Sequence, residues 1–296
     1  MDLMMFFGSI PALVTPFLDE KPDMPAFKEF VEWQIASGSH GLVPCGTTGE
    51  AATLEPDEHK QVIETCVVQA RGRVPVIAGS GSNATHRAVQ LVEMAKDVGA
   101  DAVLIAAPWY NKPSQQGIFE HFAEISKVGI PIIAYNVPGR TVVDISVATL
   151  ARIAALDNVV GIKDATANID RVKLQRQACG GDFVQLSGDD PSALQFHEQG
   201  GLGCVSVTAN VLPKTCAAFQ IALRENNMAR AIELDTKLQA AHEAMFAYAS
   251  PAPAKYLLAK MGLMKNELRL PMVRADEKSC LIIDQALNGL IEQENI

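Results

Sequence analysis

Apolar residues gather along the chain in eight short runs, at 10–14, 41–43, 74–78, 102–106, 131–135, 159–163, 183–186 and 203–207. Stretches with helical spacing of apolar positions lie between them. The runs are continuous rather than alternating, which suits strands of a parallel sheet buried beneath helices. Eight such strand–helix units count out an α/β fold, the (β/α)8 TIM barrel. A doubly wound sheet is the alternative, but the G-x-G-x-x-G turn that would follow its first strand is absent.

Turn and cap residues fall where a barrel needs them. Pro25 opens the first helix, Pro56 the second and Pro213 the eighth, and helix four begins near Ser114. Asp190-Pro191 offers an N-cap with proline at the first helical position. Beyond about Asn226 the pattern turns wholly helical, over 228–248, 253–261 and 276–291. Residues 1–225 are therefore expected to form the catalytic barrel, and 226–296 a C-terminal helical region.

Composition narrows the classes. The chain has 296 residues, 48% of them hydrophobic. That suffices for one core of barrel size, about 250 residues. A net charge of −9 without a basic run disfavours a nucleic-acid surface. No apolar stretch approaches the ~20 residues of a membrane helix. Residues 1–7 are apolar but carry Asp2 in place of a basic segment, and read as a lead-in rather than a signal peptide. The six cysteines form no C-x-x-C pair, which suits a reducing cytoplasm without disulfides or zinc. Cys45 flanks a glycine-rich loop but has no evident His partner, so a buried thiol is expected rather than a nucleophile. The six histidines show no metal-ligand spacing, and no metal site is expected.

Chemistry in such a barrel belongs just after the strands. Four motifs fall there. The sixth run, V-V-G-I-K, closes on Lys163. A buried ammonium costs several kcal/mol unless paired. One reading is a salt bridge to Asp164 or Asp189. The other is a desolvated amine that attacks a carbonyl to form a Schiff base. G-T-T-G-E at 46–50 combines close backbone approach with the hydroxyls of Thr47 and Thr48, as an anion site would, or is a self-capped turn. It lacks the lysine of a P-loop. Y-N-V-P-G-R-T at 135–141 supplies a phenol at Tyr135 and a guanidinium fork at Arg140. The bland alternative is a surface turn at Pro138-Gly139. S-G-D-D-P at 187–191 holds Gly188, where backbone can approach a ligand. Its two aspartates lack the further ligands a metal would need.

In this order, the four motifs resemble the dihydrodipicolinate synthase branch of the pyruvate-dependent aldolases. G-S-I-P-A-L-V-T-P-F, P-W-Y-N-K-P-S-Q-Q-G and V-S-V-T-A-N extend the resemblance across residues 8–272. It implies that pyruvate condenses with Lys163 as a covalent Schiff base. The derived enamine then attacks L-aspartate 4-semialdehyde, on the route to diaminopimelate and lysine. No metal or organic cofactor is implied. The resemblance makes Tyr135 a proton shuttle, Thr47 its hydroxyl relay and Thr48 part of the pyruvate carboxylate site. Gly188 and Val205 match backbone positions around pyruvate; Val205 often corresponds to isoleucine. Arg140 matches a residue for the semialdehyde carboxylate. Tyr110 matches a tyrosine that enters a neighbouring subunit's site, so a cytoplasmic homotetramer, a dimer of dimers, is implied.

Two alternatives stand beside this. Sialic-acid lyases and 2-keto-3-deoxy-sugar acid aldolases share the lysine and tyrosine, but the Thr47-Thr48 pair with Arg140 favours the synthase branch. A non-catalytic pyruvate-binding barrel would have no need of every catalytic group. A possible allosteric cleft for L-lysine in the family maps to Ala51, Ala52, Pro56, His59, Asn83, Arg87 and Trp109. His59 and Asn83 agree with sensitive members. Arg87 replaces their glutamate and Trp109 their tyrosine, while Ala51 and Pro56 replace polar residues. Inhibition by lysine is expected to be weak or absent, unless Arg87 faces solvent and another acid such as Glu55 takes the glutamate's place.

Overall fold

The computed structural model describes residues 5–294. Residues 1–4 of the expected lead-in lie outside this range, and Phe6 is fully buried. Strand β1 (Gly8–Pro11) leads to a small antiparallel hairpin, β2 (Phe17–Leu18) and β3 (Lys21–Pro22), then to helices α1 (Met24–Ala36) and α2 (Pro56–Ala70). There follow β4 (Ile77–Gly79), α3 (Thr85–Asp97), β5 (Ala102–Ala106), α4 (Gln115–Ser126) and β6 (Ile132–Asn136). A single turn, α5 (Pro138–Thr141), precedes α6 (Val147–Ala154), β7 (Val159–Asp164), α7 (Asp170–Cys179) and β8 (Val184–Ser187). Then come α8 (Ala193–Glu198), β9 (Gly203–Ser206) and α9 (Pro213–Arg224). Helices α10 (Met228–Ala244), α11 (Ala252–Lys260) and α12 (Glu277–Leu287) follow.

Seven strands form one parallel sheet in the order β1-β9-β8-β7-β6-β5-β4. The expected second barrel strand is reduced to two bridges, Leu42 to Val76 and Val43 to Ala12. These close the ring between β4 and β1, so the TIM barrel stands as expected. Val43 donates to Pro11 O at 3.0 Å, and Ile77 donates to Leu42 O at 2.9 Å. The next residue, Pro44, has no N–H to continue the ladder, which is why this strand is so short.

Period-two alternation sorts the side chains. Ile10, Val43, Ile77, Leu104, Ile133 and Val205 fill the barrel, while Val103, Ile105, Ile132 and Ile162 pack outward under the helices. On β7 this puts Lys163 on the inner face and Asp164 on the outer. Gly161 shares the inner face, where a Cβ would meet Val184 O at 2.6 Å.

Most helix starts follow the expected punctuation. Asp23 Oδ1 accepts the Ala26 N–H ahead of Pro25, and Ser114 Oγ accepts that of Gly117. Asp190 is the exception: α8 begins later, with Ser192 at its cap position. The Asp190 carboxylate instead accepts Val207 N at 2.8 Å and Thr208 N at 3.4 Å. Those N–H groups open the 3-10 turn Thr208–Asn210 and would otherwise be buried without partners. The β2–β3 hairpin, two residues per strand, is too short to leave a hydrophobic pattern. Among the described residues, no helix is long and apolar enough to cross a membrane.

Candidate active site

Strands β6 and β7 pair in register with Tyr135 beside Lys163. Both side chains are buried inside the barrel, and Lys163 is 7% exposed. Lys163 Nζ sits 4.2 Å from the centroid of the Tyr135 ring. Among the described residues, no carboxylate forms an ion pair with it. The salt-bridge reading therefore fails. Asp164 faces outward to Arg171 Nε at 3.0 Å and also accepts Gln175 Nε2 at 2.6 Å. Asp189 is engaged by Ser192, whose N–H and hydroxyl both donate to it.

Gly188, at the end of β8, makes room for the lysine. A Cβ there would lie 2.9 Å from Lys163 Cε and 3.1 Å from its Cγ. Val205 lies on the neighbouring strand, fully within the interior cluster. These four positions, Tyr135, Lys163, Gly188 and Val205, converge at one end of the barrel.

The 46–50 loop leaves the second strand position and crosses close over β4. At Gly79 a Cβ would fall 2.0 Å from Cys45 O, so only glycine admits the crossing. The loop folds on itself: Gly49 N donates to Gly46 O and Glu50 N to Thr47 O, each at 3.1 Å. Thr48 is buried and Thr47 exposed in the single chain. Cys45 is buried, and desolvation pushes its thiol well above the ordinary range. A thiol held protonated is a poor nucleophile, in keeping with the buried structural role.

Two candidates stand apart within one chain. Tyr110 follows β5 in a left-handed conformation, φ 73°, and is 87% exposed. Arg140 lies exposed on α5. Both sit after barrel strands, hence at the same face as Lys163, but neither touches it. In the cleft region, His59 is buried and donates from Nε2 to Gly79 O at 2.8 Å; burial lowers its pKa. Asn83 O accepts Asn111 Nδ2, Ala51 and Trp109 are half-buried, and Arg87 is exposed on α3. Ala52 and Pro56 are exposed too.

One cluster goes unforeseen in the sequence, where Lys255, like Lys112 and Lys173, reads only as a weaker candidate than Lys163. Lys255 on α11 is fully buried and pairs with Glu50 Oε1 at 2.5 Å. Burial drives the Lys255 pKa down to about 8, against the opposing pull of Glu50. Arg269 clasps Glu58 on α2 and donates its backbone N–H to Glu50 Oε2 at 3.2 Å. The signal was present in P-A-P-A-K-Y-L-L, a lysine within an apolar helix, the same cue that singled out Lys163.

The dihydrodipicolinate synthetase family model matches residues 5–289. A 4-hydroxy-tetrahydrodipicolinate synthase of Parvibaculum lavamentivorans is 57% identical, covering 92% of this chain and 94% of that relative. One from Chelativorans sp. is 54% identical over 96% of this chain and 98% of its own length. Among solved structures, the pyruvate-complexed dihydrodipicolinate synthase of Acinetobacter baumannii superposes with a TM-score of 0.93 at 40% identity, covering 96% and 98% of the two chains.

Proposed function

We propose a function from one premise: the chain belongs to the dihydrodipicolinate synthetase family. It is a lyase that joins pyruvate to L-aspartate 4-semialdehyde, the step that commits carbon to diaminopimelate and lysine. The observation that carries this reading is Lys163, buried without an acidic partner among the described residues and stacked on Tyr135.

The chemistry follows from that placement. Lys163 Nζ, as the free amine, attacks the pyruvate ketone, and loss of water leaves an imine. Protonation of the imine nitrogen withdraws electrons, so a methyl proton departs and an enamine forms. The enamine carbon attacks the semialdehyde aldehyde. The amino group of the joined chain then adds to the imine carbon, closes the ring and expels Lys163. The protonated imine supplies the electron sink, so the cycle calls for no metal or organic cofactor.

Tyr135 relays protons at the imine, with Thr47 and the partner's tyrosine as its hydroxyl chain. Thr48 and the backbone at Gly188 and Val205 hold the pyruvate carboxylate. Arg140 receives the carboxylate of the semialdehyde. A coupled assay with pyruvate tests the reading by comparing acceptors. Turnover is expected with aspartate semialdehyde and not with sugar aldehydes. Preference for a sugar aldehyde would move the chain to the sugar-acid aldolases, and no turnover with any acceptor would leave a binding barrel.

The enzyme acts as a cytoplasmic homotetramer of tight dimers. Tyr110 supports this, since an 87% exposed aromatic held at positive φ is costly without a partner surface. Mixing inactive Tyr110→Phe and Lys163→Ala proteins is expected to restore activity, because a hybrid dimer holds one intact site. A fully active monomer in ultracentrifugation would overturn the shared site.

L-lysine is expected to inhibit weakly or not at all. Arg87 supplies no attraction for an ammonium, and its exposure leaves water to screen what repulsion it exerts. A dose–response curve reaching half-inhibition below millimolar lysine would show that other groups bind it.

A further inference from the structure

We infer that the buried ion pair between Lys255 and Glu50 positions the loop carrying Thr47 and Thr48, which makes both residues positioning residues for pyruvate. This rests on the assignment of that loop to pyruvate above.

The 46–50 loop is closed on itself by short-range backbone bonds, so its shape is local. Its orientation over the barrel mouth is not. Thr15 Oγ1 donates to Gly49 O at 2.7 Å and anchors one side. Glu50 anchors the other. Its backbone is left-handed, φ 54°, and this turn directs its carboxylate away from the barrel toward the C-terminal helices. There Lys255 Nζ meets it, held in turn by Glu267 O at 2.8 Å and by the face of Phe17, 4.1 Å away. Arg269 completes the seat: its backbone N–H reaches Glu50, and its guanidinium joins Glu58 of α2 and the Thr53 carbonyl. The first residue beyond the loop's last threonine and glycine is thus fixed by groups more than two hundred positions away.

Stability alone gives little reason for such a pair. Two charges taken out of water regain in mutual attraction about what desolvation costs, and apolar residues of similar size often do as well. The ion pair offers direction instead. Three ligands around Lys255 and two around Glu50 admit one arrangement, and Thr48 lies only two residues away on a buried, closed turn. The C-terminal helical region thereby reaches the active site without contributing a group that touches substrate.

The test uses Glu50→Gln, Lys255→Met and the double variant in the full-length enzyme. The melting temperature and the KM values for pyruvate and semialdehyde are measured for each. Both single variants are expected to raise the pyruvate KM roughly tenfold or more, with a smaller change for semialdehyde. Lys255→Met alone leaves a buried carboxylate unpaired and should melt lower. The double variant removes that charge and should regain melting temperature without regaining the pyruvate KM. A wild-type pyruvate KM in the double variant, or in Glu50→Gln, would reduce the pair to a structural bridge and overturn the inference. Glu50→Gln keeps the size and one acceptor of the native side chain, so it decides the matter if Lys255→Met does not fold. Thr48→Ala separates this inference from its premise. If Thr48→Ala leaves the pyruvate KM unchanged, the loop is not the pyruvate site. If it raises that KM while Glu50→Gln does not, only the positioning role falls.

Discussion

A Lys163→Met enzyme is expected to lose turnover by at least about 10⁴-fold while melting no lower than the wild type. The loss follows from the mechanism, since no other lysine among the described residues lies on the inner face to form the imine. The retained stability follows from the environment. Lys163 is 7% exposed, and no carboxylate among the described residues pairs with it. Methionine keeps the length of the arm, fits beside the open position at Gly188, and removes the cost of burying an amine. The same change at Lys255 should lower the melting point, because Glu50 would be stranded. Measuring kcat and thermal melts for both variants separates a lysine kept for chemistry from one kept for geometry. Residual turnover within tenfold of wild type would be incompatible with imine formation at Lys163.

Arg140→Ala is expected to act on the second substrate. Loss of a charge-assisted bidentate contact costs about 2–5 kcal/mol at a desolvated site. Arg140 is exposed in the single chain, so the lower end applies, about 2 kcal/mol or roughly 30-fold in kcat/KM for semialdehyde. Pyruvate adduct formation should survive, since Arg140 does not touch Lys163. Melting should hardly change for a solvent-facing side chain without an ion-pair partner among the described residues. The reverse pattern, lost adduct formation with semialdehyde use intact, would mean that the guanidinium serves pyruvate instead.

Much of this was legible in the residues alone. Eight apolar runs gave eight barrel positions, because strands covered on both faces carry continuous apolar character. Lys163 stood out for the same reason: a charge ending such a run must be satisfied or used. What stayed hidden depended on tertiary partners. The second strand dwindles to two bridges because Pro44 ends its ladder. Asp190 looks like a helix cap in sequence, yet the donors that claim it, Val207 N and Thr208 N, come from the turn after β9, seventeen and eighteen residues on. Glu50 and Lys255 lie too far apart for any local pattern to join them, and the apolar run around Lys255 marks burial without naming its partner. The left-handed Tyr110 and its exposed ring become visible only once β5 is seen to end before it.

The most direct test of the central claim is covalent trapping. The protein is incubated with pyruvate, reduced with borohydride, digested and mapped by peptide mass spectrometry. A single reduced pyruvate adduct on Lys163 is the expected result, absent when pyruvate is omitted. No adduct, or an adduct on another lysine such as the fully buried Lys255, would contradict it.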